Sequence, residues 1–332
     1  MVTIGSLFSG GGGWDAGARE LGVIPVFAVE MEPRIAAWHA YVFGGHTLTS
    51  SVADVVWSDV AGKLGSVDFL ASSPPCQNYT KSGAMQAALA AARGTVRGDR
   101  SLCDPMIGLH TIKAVDALRP KVVFLEEAPA YATRPSSPFY TIVEQLQNRD
   151  YTVDWTALRM QDYGLPSARE RLFMRASLAG TLPPWPASRA RVTWYEAIRH
   201  LIPTMPLSEL SPRQKRDLAA WGVPRRGEPL IVSGGQRGSI GRDETRKWFS
   251  HRGANEVSWA IQKAKGMGGM RVVDENGEVR QMTPRAVSLL VGFPASYPIE
   301  ELARTRALDV LGNSVPPLIA MQLFAPFLAT MR

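Results

Sequence analysis

Cysteine is almost absent from this chain: two residues in 332, Cys76 and Cys103. They form no CxxC pair and match no metal-ligand spacing. A chain this long and this poor in cysteine does not rest on a disulfide framework. The five histidines (His39, His46, His110, His200 and His251) are scattered, and none sits in an HExxH pattern. Each reads as a surface or packed histidine, and no metal is expected. No apolar run reaches the ~18 residues of a membrane span, so none is expected. The opening MVTIGSLFSGGGG lacks the basic start and apolar core of a signal peptide, which points to the cytosol. No GKS or GKT follows the glycines, so a nucleoside triphosphate is not indicated. There is no internal repeat and no low-complexity tract. What remains is ordinary globular material, 45 % hydrophobic and 20 % charged, enough for one large domain or two modest ones.

The charge is unevenly placed. The chain carries a net +7 with a pI near 9.6. Residues 176–284 hold 17 Lys and Arg against 10 Asp and Glu, which is the whole excess; the rest balances. A basic segment on a neutral body points to a polyanion, most often nucleic acid, with a solvated basic surface as the rival.

Short apolar runs alternate with helical patterns through the first half. Runs at 3–8, 24–29, 67–71, 122–125, 153–158 and 172–174 read as strands. Helices are expected near 14–21, 35–43, 105–118 and 139–146. That alternation predicts an α/β sheet of parallel strands with helices on both faces, and sites at the carboxyl ends of the strands. Residues 181–186 (TLPPWP) read as a linker. The next hundred residues scatter Pro, Gly and Arg and read as a second, irregular domain. Residues 315–331 form an apolar-rich helix candidate.

Four motifs carry chemistry. Phe8-Ser9-Gly10-Gly11-Gly12-Gly13-Trp14 follows the first strand, and its glycines let a loop turn tightly and approach a ligand. Such turns also serve dinucleotides, and some are only turns. Glu30 ends the second strand some 20 residues on, where an acid commonly holds ribose hydroxyls. Ser73-Pro74-Pro75-Cys76 sets a cysteine on a stiff loop at a strand end, well placed for chemistry. A buried structural cysteine would sit more naturally inside an element. Glu126 and Glu127 end an apolar strand, either as a solvated turn or as a carboxyl group able to carry a proton. Arg169 and Arg171, at i and i+2 entering a strand, point to one face and suit a base and phosphates, or form an ordinary surface pair.

The order FSGGGG, VE, PPCQ, LEEAP, YGLPSARERLF, then Arg285–Pro294 ending in GFP and Leu311-Gly312-Asn313-Ser314-Val315, resembles the DNA cytosine-C5 methyltransferase family across nearly the whole chain. The resemblance implies a Rossmann-like S-adenosylmethionine-dependent α/β domain, residues 1–178 plus 305–332. It implies a smaller irregular target-recognition domain over 179–304, and a monomer acting on double-stranded DNA. It implies a methyl group moved to carbon 5 of a flipped cytosine. Phe8 would stack on the cofactor adenine, and Gly10, Gly12 and Gly13 would shape its pocket. Glu30 would bind the ribose, Asp54 and Val55 would flank the adenine, and Pro75, Asn313 and Val315 would complete the cofactor site. Cys76 would be the nucleophile, Glu126 the catalytic acid, and Arg169 and Arg171 would line the cytosine pocket. In the basic segment, Arg225, Arg226, Arg237, Arg242, Arg246 and Lys247 are the expected DNA contacts.

The chain departs from the family pattern in four places. Ser6 stands where the first motif usually has an acid, at an expected cost in cofactor affinity. Glu127 stands for the usual asparagine, and a second carboxylate there could raise the pKa of Glu126 or disturb the loop. Ser167 and the pair Ser72-Ser73 replace a glutamine and glycines. No reacting group is lost. The rival readings are an RNA-modifying relative, a catalytically silent DNA-binding relative, and transfer of a modified methyl from an altered cofactor. The long basic insert favours DNA, and retention of Cys76, Glu126, Arg169 and Arg171 favours an enzyme.

Overall fold

A computed structural model of the chain describes residues 1–75, 104, 106–220, 222, 227–233, 251–261 and 269–331. The chain divides into two compact units: Met1–Arg159 with Glu170–Pro186 and Ala320–Arg332, and Met160–Arg169 with Ala187–Ile319. The expected division differs at three places. It set residues 160–169 and 305–319 in the first domain, and both belong to the second unit; it set residues 179–186 in the second domain, and they belong to the first unit.

In the first unit, strands β1 (Thr3–Leu7), β2 (Ile24–Glu30), β3 (His46–Thr49), β4 (Phe69–Ser72), β5 (Val122–Glu127), β6 (Thr152–Arg159) and β8 (Glu170–Ser177) form one sheet; β7 (Ser167–Ala168) lies in the second unit. The order is β3-β2-β1-β4-β5-β8-β6. The first five strands run parallel in that order. β8 runs antiparallel to both its neighbours. The all-parallel expectation is corrected here, and chain length gives the reason. Only residues 160–169 join β6 to β8, and a parallel return needs a crossover of a dozen or more residues. Sequence reading also missed β3, whose HTLT is polar and half exposed at the sheet edge.

Both faces of the sheet are covered, as a parallel sheet requires. Alternation sends Val123 and Leu125 into a core with Leu70, Leu172, Met174, Ile112, Val115, Phe139 and Ile142. That core includes the helices His110–Leu118 and Phe139–Gln147. Phe124 turns the other way, against Trp14, Phe324 and Phe327. Those rings come from the helices Gly13–Glu20 and Pro317–Thr330. The stretch Arg304–Thr330 is apolar and long enough to cross a membrane by composition alone, but 72 % of its most apolar window is buried inside the protein, as in a core helix. It is also interrupted, since the helix Arg304–Asn313 ends before Pro317 starts the next.

The second unit is less irregular than its sequence suggests. β9 (Leu230–Val232), β10 (His251–Gly253), β12 (Arg271–Val273) and β13 (Val279–Gln281) form an antiparallel sheet in the order β10-β9-β12-β13, while β11 (Ser258–Trp259) pairs with β7. Leu218, Leu230, Val232 and Val273 make a small core. The β12–β13 turn is held by Asp274, which accepts from the backbone N–H groups of Asn276 and Glu278 and pairs with Arg280 at 2.9 Å. Gly277 supplies the left-handed residue that this turn needs (φ 84°). Asp274 and Arg280 support each other, so the Asp274 carboxyl lies below its usual range despite desolvation.

The expected linker at 181–186 is packed rather than loose. Arg175, buried in β8, lies over the Trp185 ring at 4.0 Å and donates to the Pro184 carbonyl at 3.2 Å. Asp154 on β6 accepts from both Arg175 (3.2 Å) and Trp185 Nε1 (2.7 Å). One guanidinium thus fastens the departing chain to the sheet. Arg175→Ala is expected to cost about 1–3 kcal/mol in urea unfolding, from the lost charged hydrogen bonds and ring contact. A change inside the roughly 0.5 kcal/mol scatter of ordinary surface substitutions would show that the fastening contributes nothing.

Candidate active site at the carboxyl edge of the sheet

The parallel register aligns strand ends. Leu7 pairs with Val29 and Ser72, and Ser72 pairs with Leu125. The loop after β1, Glu30 at the end of β2, the segment after β3, Ser73–Pro75 after β4 and the two glutamates ending β5 therefore share one edge. β8 runs the other way, so its beginning, with Arg171, reaches the same edge.

The glycine loop is tied down by its own backbone. Ser9 N–H donates to Val29 O at 3.0 Å, and Gly12 N–H donates to Ser9 O at 2.9 Å. Phe8 is left-handed at φ 55°, a strained setting for a side chain. Gly10 and Gly12 are left-handed too. At Gly12 a Cβ would lie 2.1 Å from the Phe43 ring, so only glycine fits. Glu30 holds the loop to β2. Its Oε2 accepts from Gly10 N–H at 3.0 Å and its Oε1 from Glu32 N–H at 2.9 Å. Each oxygen keeps a further lone pair for a ligand hydroxyl. Ser50 N–H donates to the Glu30 carbonyl at 3.1 Å. The segment beyond it carries Asp54, exposed in the turn Val52–Asp54, and Val55, packed on the core. Trp14 Nε1 donates to Ser73 Oγ at 2.9 Å, joining the first helix to the proline loop.

The two glutamates have opposite fates. Glu126 faces the Phe173 side of the sheet, and Arg171 Nε lies 3.0 Å from its Oε1. Glu127 faces the apolar side, 1 % exposed, beside Leu172. Its Oε2 accepts from Ala128 N–H at 2.7 Å, and its Oε1 is buried without a hydrogen-bond partner among the described residues. Burial pushes the Glu127 carboxyl well above the usual carboxylate range, and the neighbouring Glu126 charge adds to the rise. The Ala128 N–H and Arg171 pull the other way without offsetting it. The displaced carboxyl is thus that of Glu127, at the position where the pattern has asparagine.

This set of residues fits an adenosine-type cofactor. The Glu30 oxygens accept hydroxyl donors, and open space adjoins Gly10, where a Cβ would meet nothing nearer than Phe8 O at 4.0 Å. Ser9 Oγ is buried with no hydrogen-bond partner among the described residues. Among the described residues, no group of three His, Cys, Asp or Glu could hold a metal.

Comparison with known proteins agrees with this geometry. The family model for C-5 cytosine-specific DNA methylase matches residues 2–327. The chain belongs to that family. Among its relatives, the Type II methyltransferase M.XorII of Xanthomonas oryzae pv. oryzae is 24 % identical, over 98 % of this chain and 84 % of the relative. M.Bsp6I of a Bacillus species is 23 % identical over 95 % of both. In fold, the chain is similar to a DNA modification methyltransferase encoded in an E. coli prophage (TM-score 0.66, 18 % identity, 100 % of this chain and 99 % of that one). It is also similar to Spodoptera frugiperda DNMT2 (TM-score 0.63, 17 % identity, 99 % and 100 % covered). The chain is a DNA cytosine-5-methyltransferase with the family's α/β fold.

In this methyltransferase, Phe8, Gly10, Gly12, Gly13, Glu30, Asp54, Val55, Pro75, Glu126 and Arg171 lie in the first unit. Arg169, Asn313 and Val315 lie in the second. The expectation that Arg169 and Arg171 enter one strand at i and i+2 on one face is corrected. Arg169 is buried, and its guanidinium donates to the Ile261 and Gly312 carbonyls, both at 3.4 Å; Arg171 pairs with Glu126. The chain leaves β7 at Ala168 and enters β8 at Glu170, so no single strand fixes both arginines. Asn313 is exposed at the end of its helix, and Val315 is buried. Cys76, Arg225, Arg226, Arg237, Arg242, Arg246 and Lys247 lie outside the described residues. Sequence reading missed Asp15 and His39. Both are buried beside the glycine loop, and Ser6, the departure in the first motif, gives its hydroxyl to Asp15. An acid among the small and apolar residues that open the helix, Gly13–Ala18, was the available signal.

A buried acid whose pKa is raised makes stability depend on pH. With its folded pKa raised, Glu127 contributes full stability below the unfolded carboxyl pKa, and that contribution is lost as pH rises through the folded value. Glu127→Gln removes the dependence. The variant should melt with the wild type near pH 4 and about 2–4 °C above it at pH 8. An equal difference at both pH values would show that the Glu127 carboxyl is not displaced.

Proposed function

We propose that this methyltransferase takes its methyl group from S-adenosylmethionine and acts on a cytosine flipped out of duplex DNA, through a covalent adduct with Cys76. The observation that carries the reading is the gathering of the glycine loop, Glu30, the Pro74–Pro75 loop and the Arg171–Glu126 pair on one sheet edge. Phe8 and the glycines hold the adenine, Glu30 accepts the ribose hydroxyls, and Asp54 and Val55 flank the ring. Pro75 contributes to the cofactor site. Asn313 and Val315 serve the cofactor from the closing motif. S-adenosylmethionine supplies an electrophilic sulfonium methyl when bound.

Carbon 5 of cytosine is too weak a nucleophile to take that methyl unaided. The Cys76 thiolate adds to carbon 6 and makes the ring an enamine. Free thiols titrate near ~8.5, so proton loss is coupled to attack or favoured by the loop. Glu126 protonates or hydrogen-bonds N3 and stabilises the charge formed on addition, while Arg171 orients Glu126. Arg169 lines the base pocket. After transfer the C5 proton leaves and Cys76 is eliminated. A stacked base offers no access to carbon 6, hence the flipping. The basic segment binds the duplex, and the enzyme works as a cytoplasmic, nucleoid-associated monomer.

Incubation with labelled S-adenosylmethionine and duplex DNA, alongside tRNA, tests the substrate, and bisulfite sequencing of DNA from expressing cells gives the methylated sites. Cys76→Ala is expected to abolish methylation while leaving DNA affinity largely intact, because the nucleophile supplies few ground-state contacts. Substantial turnover by that variant would end the covalent reading. Glu126→Gln is expected to slow turnover about 10²-fold or more.

The basic segment gives a separate test. Neutralising Arg225 and Arg226 together is expected to weaken binding to all sequences and lower the salt slope by roughly 0.9 per lost phosphate contact. Arg237, beside Gly238, suits base readout, so Arg237→Ala is expected to change which sites are methylated with little change in slope. The reverse pattern would exchange the two assignments.

A further inference from the structure

The glycine loop is flanked by a buried polar chain that the reaction does not use. Asp15 sits in the first turn of the helix Gly13–Glu20 and is fully buried. Ser6, on β1 and also fully buried, donates its hydroxyl to Asp15 Oδ2 at 2.8 Å, with Oδ1 at 3.0 Å. His39, from the helix Pro33–Phe43, meets Asp15 Oδ2 through Nε2 at 3.1 Å, and its Nδ1 meets Thr47 Oγ1 on β3 at 3.0 Å. A carboxylate only accepts, so Nε2 is the donor in that contact, and the other ring nitrogen is left for the threonine.

The positions of these contacts give them meaning. Ser6 and Asp15 stand at the two ends of residues 7–14, so their bond closes the loop at its base. His39 brings in the helix whose Phe43 ring abuts Gly12, and the His39 and Phe43 rings lie 4.7 Å apart. Arg19 fastens the other end of that packing, over the Phe43 ring at 5.0 Å and donating to the Val42 carbonyl at 2.9 Å. Glu30 then holds Gly10 from the ligand side. The loop is therefore fixed from behind by Asp15 and in front by Glu30. A loop ordered in advance loses less entropy when a ligand arrives.

We infer that Asp15 is a positioning residue for the cofactor: its carboxylate, held between Ser6 and His39, keeps the loop Phe8–Gly13 in its binding shape. The inference rests on the reading of that loop as the S-adenosylmethionine site. It touches neither substrate nor reacting atoms, so its effect falls on cofactor affinity and not on the chemical step.

The test uses the full chain with S-adenosylmethionine as the titrant in calorimetry. Asp15→Ser is expected to raise the Kd about tenfold, the scale of losing a charged hydrogen bond. The exchange variant Ser6→Asp/Asp15→Ser returns the carboxylate from the strand side. It is expected to recover binding to within about threefold of wild type, while Ser6→Asp alone, with two carboxylates in contact, binds more weakly. Amide exchange at Gly10, Gly12 and Gly13 should accelerate in Asp15→Ser and slow again in the exchange variant. Should Asp15→Ser fail to fold, the exchange variant and Ser6→Asp still decide the matter. Variants that melt earlier yet bind S-adenosylmethionine as the wild type does, with unchanged exchange at the glycines, would reduce Asp15 to a core residue and overturn the inference. A wild-type chain that does not bind S-adenosylmethionine would overturn the cofactor reading itself.

Discussion

The parallel register of β3, β2, β1, β4 and β5 is the constraint on which the site depends. In a parallel ladder the strands end together, and each carries its following loop to the same edge. Residues as distant in sequence as Phe8, Glu30, Pro75 and Glu126 are thereby brought to one edge, Glu30 and Glu126 as the last paired residues of their strands or next to them and Phe8 and Pro75 in the loops that follow. The sheet can hold this register because both its faces are covered by apolar side chains, and a slip of one residue would turn those side chains to the wrong face. The reversal of β8 adds the one component that a purely parallel sheet would place at the opposite edge. It brings Arg171, at the start of a strand, against Glu126, at the end of another.

The same alternation separates two carboxyl groups that are adjacent in the chain. Glu126 shares its face with Arg171 and is paired; Glu127 shares its face with Leu125 and Leu172 and is buried among apolar groups. Desolvation, which Arg171 only partly opposes, raises the pKa of the second well above the usual carboxylate range. A raised pKa favours the protonated carboxyl, which, like an amide, both donates and accepts, though with one donor fewer and a side chain one methylene longer than asparagine.

Much of this was legible in the residues. The alternation of apolar runs with helical periods indicated an α/β sheet. The order of the seven motifs indicated the C5 methyltransferase family, which the match over residues 2–327 establishes. The glycine loop, Glu30 and Glu126 were named from their places after strands, and they share the expected edge. β3 was hidden because an exposed edge strand needs no apolar pattern. The second unit was hidden because its strands of two or three residues are shorter than any periodicity can reveal.

The sequence by itself determined the family, the residue types that the reaction needs and the concentration of positive charge between residues 176 and 284. These depend on identity and order, which a chain carries unfolded. Only the tertiary structure decided which glutamate is paired and which is buried, that Arg169 and Arg171 part company, and that Ser6, Asp15, His39 and Thr47 join behind the loop. These depend on which face of a strand a side chain occupies and on which segments the sheet order makes neighbours. Neither is written in any local stretch of sequence.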